Sequence, residues 1–215
     1  MIIDYNGLAR ASTAIHAVQG AGLLVLGAAE AYAADNPSSR APLAGALALL
    51  AAAAAAPLLM LALAAGWDFP LLKAVLDARR GFYLFIAFSS LFAAAGLSRI
   101  TQAAVPGGGR GWQFSFLFFL AAAAGLYFLF AWRVNEAAWR QVLALHAAIG
   151  VTLALAVAAK AANIFSGRRW LHVAWGVLLL TAGAQLLLYR ETPAAFGINI
   201  VTFQASPDMP GVVKK

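Results

Sequence analysis

The sequence predicts an all-α integral membrane protein: a bundle of six transmembrane helices with a short interfacial helix between the second and third spans. Three observations predict it. Of the 215 residues, 63% are hydrophobic and 11% charged, with a mean hydropathy of +0.82, more apolar surface than one soluble core of this size can hide. The apolar residues gather in runs of about 20, the length of helix that crosses a bilayer's hydrocarbon core. The breaks between runs combine turn formers with charge, as in "DNPSSRAP", "VPGGGRG", "RVNEAAWR" and "FSGRR".

Taken in order, the predicted spans cover residues 10–34, 42–66, 82–104, 112–132, 138–165 and 169–189. Arg10, the apolar run from Ala14 and the small residues Ala31 and Ala33 imitate a cleavable signal peptide. His16, Gln19 and Glu30 are poor company for a signal core, so the first run is read as a helix that stays. Between spans two and three, "WDFPLLKAVLDARRGF" alternates apolar and charged residues in a helical rhythm, which suits a helix lying in the interface. In the fourth span the aromatic stretch "WQFSFLFFL" suggests a helix facing lipid or a large partner, whereas Ala51 to Ala56 suggest close packing in the second. Residues 1–190 then form one transmembrane domain. Residues 191–215, with Pro193, Pro207 and Pro210, form an extramembrane tail.

The formal charge of +7 would point to nucleic acid in a soluble protein. Here the 15 Lys and Arg lie mostly in short connections, where lipid headgroups account for them, and nucleic-acid binding is excluded. Nine basic residues fall on the side of the termini and six on the other. That bias places both termini in the cytoplasm, most naturally of a bacterial inner membrane. The absence of cysteine rules out disulfides, thiolate metal sites and thiol catalysis.

The most informative feature is a repeat. "RASTAIHAVQG", Arg10 to Gly20, returns as "RQVLALHAAIG", Arg140 to Gly150, with Arg, Ala, His, Ala and Gly in register. Spans one and five cross in the same direction, so His16 and His146 share a leaflet. Each Gly follows its His by four residues and sits on the same helix face one turn deeper. A haem b bound through two histidines needs neutral imidazoles from facing elements, room for the macrocycle and cations for its propionates. His16 and His146 supply the first, Gly20 and Gly150 the second. Arg10 and Arg140, six residues or about 9 Å before each His, supply the third, although they stand about 120° away from the histidine face. In this ligand logic the chain resembles membrane b-type cytochromes. The alternatives are histidines that merely pack or bond between helices, or another ligand such as chlorophyll or a metal.

Fourteen residues after the histidines, about 21 Å along the axis, Glu30 and Lys160 again match. Either they pair and pin the two helices together, or each reaches the headgroups alone. His172 opens the sixth span in the opposite leaflet and cannot join the first pair. Beside Arg168, Arg169, Trp170 and Trp175 it reads as part of an interfacial belt, or as a contact for a quinone headgroup or a second cofactor. Gln19, Thr152, Asn163, Thr181 and Gln185 are expected to bond across helices, with Gln19 near enough to His16 to orient a ligand. Arg99 and Gln102 read as an ordinary membrane boundary.

Gly107 to Gly109 lack the helix start and Lys-Ser/Thr of a phosphate loop, and no hydrolase elbow, HExxH motif, paired catalytic carboxylates or multi-span transporter repeat is present. The expectation is therefore a membrane b-type cytochrome subunit. It would transfer electrons between quinone and a redox partner within a larger respiratory or photosynthetic complex, as part of a quinone-linked oxidoreductase where it acts in an enzyme. A cofactor-free membrane scaffold or assembly subunit is the competing class, and a small-solute transporter the third.

Overall fold

The computed structural model describes residues 4–36, 38–78, 80–105, 109–191 and 195–196, which form helices and no strand. In chain order these are α1 (Tyr5–Asp35), α2 (Ala41–Leu59), α3 (Phe69–Ala78), α4 (Tyr83–Ala104), α5 (Arg110–Tyr127), α6 (Glu136–Ser166) and α7 (Arg169–Leu188). Apart from Glu191, Ala195 and Phe196, the predicted tail lies outside the described residues.

The ends of the helices follow from local sequence. Pro57 lacks an N–H, and α2 widens after it into a π-helical segment, Met60–Ala64. The chain then turns through two left-handed residues, Gly66 and the exposed Trp67 (φ +68°). A helix is present where the interfacial helix is predicted, as α3, with Val75 and Leu76 buried and Lys73 bonded to Asp77 at 3.0 Å on its exposed side. Gly167, at φ +67°, closes α6 with its N–H on Asn163 O, a conformation that glycine adopts without strain.

Helix directions can be read from contacts. His16 meets His146 and Glu30 meets Lys160, so α1 and α6 run parallel and in register. Phe85 lies against His16 and Arg99 reaches Glu30, so α4 runs the same way. In α2, Gly45 abuts Leu26 while Ala52 abuts Gly22; in α7, Gly176 abuts Ala31 while Gly183 abuts Gly20. Both are antiparallel to α1. The C-terminal end of α5 brings Tyr127 to His146, and its beginning brings Phe116 to Arg99, so α5 is antiparallel as well.

Five helices are long and apolar enough to cross a membrane: Tyr5–Asp35, Ala41–Ala64, Tyr83–Ala104, Ala138–Ser166 and Arg169–Leu188. The predicted fourth span, α5, is not among them. It has 18 residues and spends its start on Arg110, Gly111, Trp112 and Gln113. By length and apolarity alone, the described residues thus support a helical membrane bundle with five such helices rather than six.

Candidate functional site

Two buried polar layers lie about 21 Å apart along α1. In the first, His16 and His146 are both fully buried. Nδ1 of His16 stands 2.6 Å from Ser12 O, and Nδ1 of His146 stands 2.8 Å from Val142 O, each one helical turn back. A carbonyl can only accept, so each Nδ1 carries the proton and donates it. With Nδ1 so engaged, the Nε2 atoms face each other, 3.2 Å apart. Two acceptors at that distance repel unless a proton or another electrophile lies between them.

Aromatic rings enclose the pair. Phe130 stacks on His146 with ring centroids 5.2 Å apart and planes 10° apart. Tyr189 lies 4.5 Å from His16 and 4.9 Å from His146, and Phe85 meets His16 edge-on. Two buried polar side chains of this region, Tyr127 OH and both amide atoms of Gln19, have no hydrogen-bond partner among the described residues. Ser12 donates to Glu191 at 3.0 Å, Tyr189 OH donates to the other Glu191 oxygen at 3.0 Å, and Thr13 Oγ1 accepts from Glu191 N–H. The first residue of the predicted tail is thereby fastened beside the histidine of α1.

The other residues assigned to this site by sequence are placed differently from expectation. A side chain on Gly20 would meet Gly183 O at 2.7 Å, and one on Gly150 would meet Ala124 O at 2.8 Å. The room expected for a macrocycle is thus taken by α7 and α5, because these glycines let helix backbones approach closely. Arg10 is exposed and bonds weakly to Asp4 at 3.5 Å, and Arg140 is exposed as well. Neither guanidinium is packed into the histidine layer.

The second layer is built around Glu30, whose side chain is fully buried. Arg99 donates to one carboxylate oxygen at 2.5 Å; Lys160 at 3.2 Å and Trp175 Nε1 at 3.1 Å donate to the other. Nε2 of His172 lies 3.3 Å from that second oxygen and 3.3 Å from Lys160 Nζ. Of the two sequence alternatives for Glu30 and Lys160, pairing is the one found. His172 joins the same cluster, and Trp175, expected in the interfacial belt, is buried at its centre. Arg99 and Gln102 are not a plain membrane boundary either: Arg99 spans from Glu30 to Gln102 Oε1, 2.6 Å away.

Sequence reasoning missed Arg99 and Trp175 because they stand on α4 and α7, outside the repeat. Their chemistry was the available signal: an Arg and an indole N–H inside apolar runs need an acceptor, and Glu30 is a carboxylate at the matching depth. The in-span hydroxyls behave otherwise than expected, since Thr152 and Thr181 donate to Ala148 O and Val177 O of their own helices. Asn163 bonds Arg168 O across the α6–α7 turn.

As metal ligands, the described residues offer pairs at most, because no group of three or more His, Asp or Glu forms such a site. Two imidazoles suit a metal that brings its remaining ligands with it, as haem iron does. The donor set is one that haem iron takes, but the Nε2 atoms stand only 3.2 Å apart, closer than two metal–nitrogen bonds of about 2 Å in line require, and the rings of Phe85, Phe130 and Tyr189 fill the space around the pair. Comparison of the chain with family models, with curated proteins and with solved structures gives no match.

Proposed function

We propose that the chain is a membrane b-type cytochrome subunit, holding one haem b between α1 and α6 through His16 and His146, and passing electrons between a membrane quinone and a redox partner in a larger complex. The observation that carries the reading is the confronted pair of Nε2 atoms, each aimed by an Nδ1–H bond to the carbonyl one turn back. That second bond would fix the tautomer and ring orientation of an imidazole that holds a metal. When bound, the haem would supply the one-electron chemistry. The chain's own part is to aim two neutral imidazoles, to keep water from them with Phe85, Phe130, Tyr127 and Tyr189, and to offer Gln19 and Tyr127 as uncommitted polar groups nearby.

Six crossings, with both termini on one side, belong to this proposal. Parallel, in-register α1 and α6 support it: a chain in which α4 runs with α1 needs α5 to return across the bilayer before α6 can run with α1 again. The basic-residue bias supports cytoplasmic termini in a bacterial inner membrane. His172, the other candidate for a quinone contact, is engaged by Glu30 and Lys160, which leaves any quinone site to a partner subunit's surface or to the edge of that cluster.

A second reading has its own observation. The aromatic rings close tightly on the histidines, and a separation of 3.2 Å also suits one proton shared between two imidazoles. In that case the pair is a helix-packing element of a cofactor-free scaffold. A dithionite-reduced minus oxidised spectrum, with a pyridine haemochrome assay, separates the two. On the cytochrome reading, protein purified from haem-replete cells shows a b-type α-band, which both His16→Ala and His146→Ala abolish while helical circular dichroism persists. A colourless wild type refutes it and leaves the scaffold.

A further inference from the structure

The charge cluster around Glu30 is unbalanced. Arg99 and Lys160 both face the single carboxylate, with side chains 15% and 6% exposed. Counting the cations Arg99 and Lys160 against the one carboxylate, the layer carries at least one positive charge more than it neutralises. Burying uncompensated charge is costly, and the cost falls if a counter-charge can approach. Glu30 cannot supply more, because Arg99, Lys160, Trp175 and His172 already crowd its two oxygens.

Beside Arg99 an open cleft of about 480 Å³ runs between the α1–α2 connection, the start of α2 and the end of α4. Its polar wall holds Ser39, Arg40, Arg99 and Gln102, with no carboxylate; its apolar wall includes Leu43 and Ile100. The Arg40 guanidinium has no ion pair or hydrogen bond among the described residues, Arg40 O alone accepting from Leu43 N–H. The cleft therefore sets a free guanidinium opposite the guanidinium of an over-charged buried cluster, next to an apolar surface at the ends of membrane helices.

We infer that this cleft binds a phosphate-bearing anion, held between Arg40 and Arg99, whose charge completes the Glu30–Lys160 cluster. Guanidinium forks match phosphate oxygens in pairs, whereas Gln102 is already occupied in positioning Arg99. A phospholipid headgroup and a free phosphate share this chemistry. The apolar wall would take the first acyl segment of a lipid, and a free phosphate would leave that wall in contact with bulk lipid. The inference does not depend on haem.

Native mass spectrometry of the full chain in detergent tests it, with phosphatidylglycerol, phosphatidylcholine and inorganic phosphate as probes. The expected result is retention of one phosphatidylglycerol in preference to phosphatidylcholine, weakened about fivefold in Arg40→Gln. Arg110→Gln, which removes an exposed cation outside the cleft, should retain it like the wild type. Competition by millimolar inorganic phosphate would assign the site to the free anion, and its failure to the lipid; either sustains the anion site. Arg99→Gln removes a partner of Glu30 and can fail to fold, so the decision rests on Arg40. Equal retention by wild type, Arg40→Gln and Arg110→Gln, or no preference between the two lipids together with no phosphate adduct, overturns the inference.

Discussion

At the scale of single residues, the two polar layers are made by opposite devices. His16 and His146 are rings whose orientation is set by their own helices, through the carbonyls of Ser12 and Val142. Glu30 is instead held by other helices, through Arg99 of α4, Lys160 of α6 and Trp175 of α7. Loss of the carboxylate should therefore be felt across the bundle. Glu30→Gln leaves two buried cations without their counter-charge, which for a buried pair costs about 3–5 kcal/mol. Combining it with Lys160→Met removes one of those cations and should restore part of the loss. Denaturant unfolding in detergent measures both; a Glu30→Gln chain within about 1 kcal/mol of the wild type would show that water or a counter-ion already screens the two cations.

Pairs of helices rest on small residues. Gly20 meets Gly183 and Gly27 meets Gly176, seven residues apart in each antiparallel helix, so α1 and α7 touch backbone to backbone over two turns. In lipid there is no hydrophobic drive between helices, and such close packing carries much of the association. A methyl group on Gly20 would stand 2.7 Å from Gly183 O, whereas nothing lies within 4 Å of the same atom on Gly125. Gly20→Ala should lower stability by about 1–3 kcal/mol through forced separation, and Gly125→Ala should be neutral or gain up to about 1 kcal/mol from helix propensity. Equal effects in a thermal unfolding comparison would remove the packing argument. The same glycines mark how far the sequence was legible. A His-x-x-x-Gly repeat located the two helices and their register, because parallel helices keep a constant offset of 130 residues at both layers. It could not say which neighbour each glycine faces, since that depends on α5 and α7, whose sequences carry no copy of the repeat. Tyr189 and Glu191 were hidden for a related reason. Tyr189 ends the last apolar run and Glu191 opens the predicted tail, yet hydrogen bonds linking Glu191 to Ser12 and Thr13 bring that segment back over His16.

For the whole molecule, the question is whether α5 crosses the bilayer. Its hydropathy is low because its start carries Arg110 and Gln113 and because Trp and Tyr, which suit the interface, score low. Its contacts argue the other way: Phe116 lies by the Glu30 layer and Tyr127 by the histidine layer, which α1 sets about 21 Å apart. A helix that touches both layers, and is antiparallel to the neighbours before and after it, runs the depth of the bundle. The chain lacks cysteine, so single cysteines report sidedness without background. Gly109→Cys and Glu136→Cys, both at exposed positions flanking α5, should be labelled by an impermeant maleimide from opposite faces of oriented membrane vesicles, with Ser39→Cys sharing the face of Gly109→Cys. Labelling of Gly109→Cys and Glu136→Cys from one face would mean that α5 does not cross. The parallel register of α1 and α6 could then not be kept in a bilayer, and both the histidine pair and the Glu30–Lys160 pair would have to come apart with it.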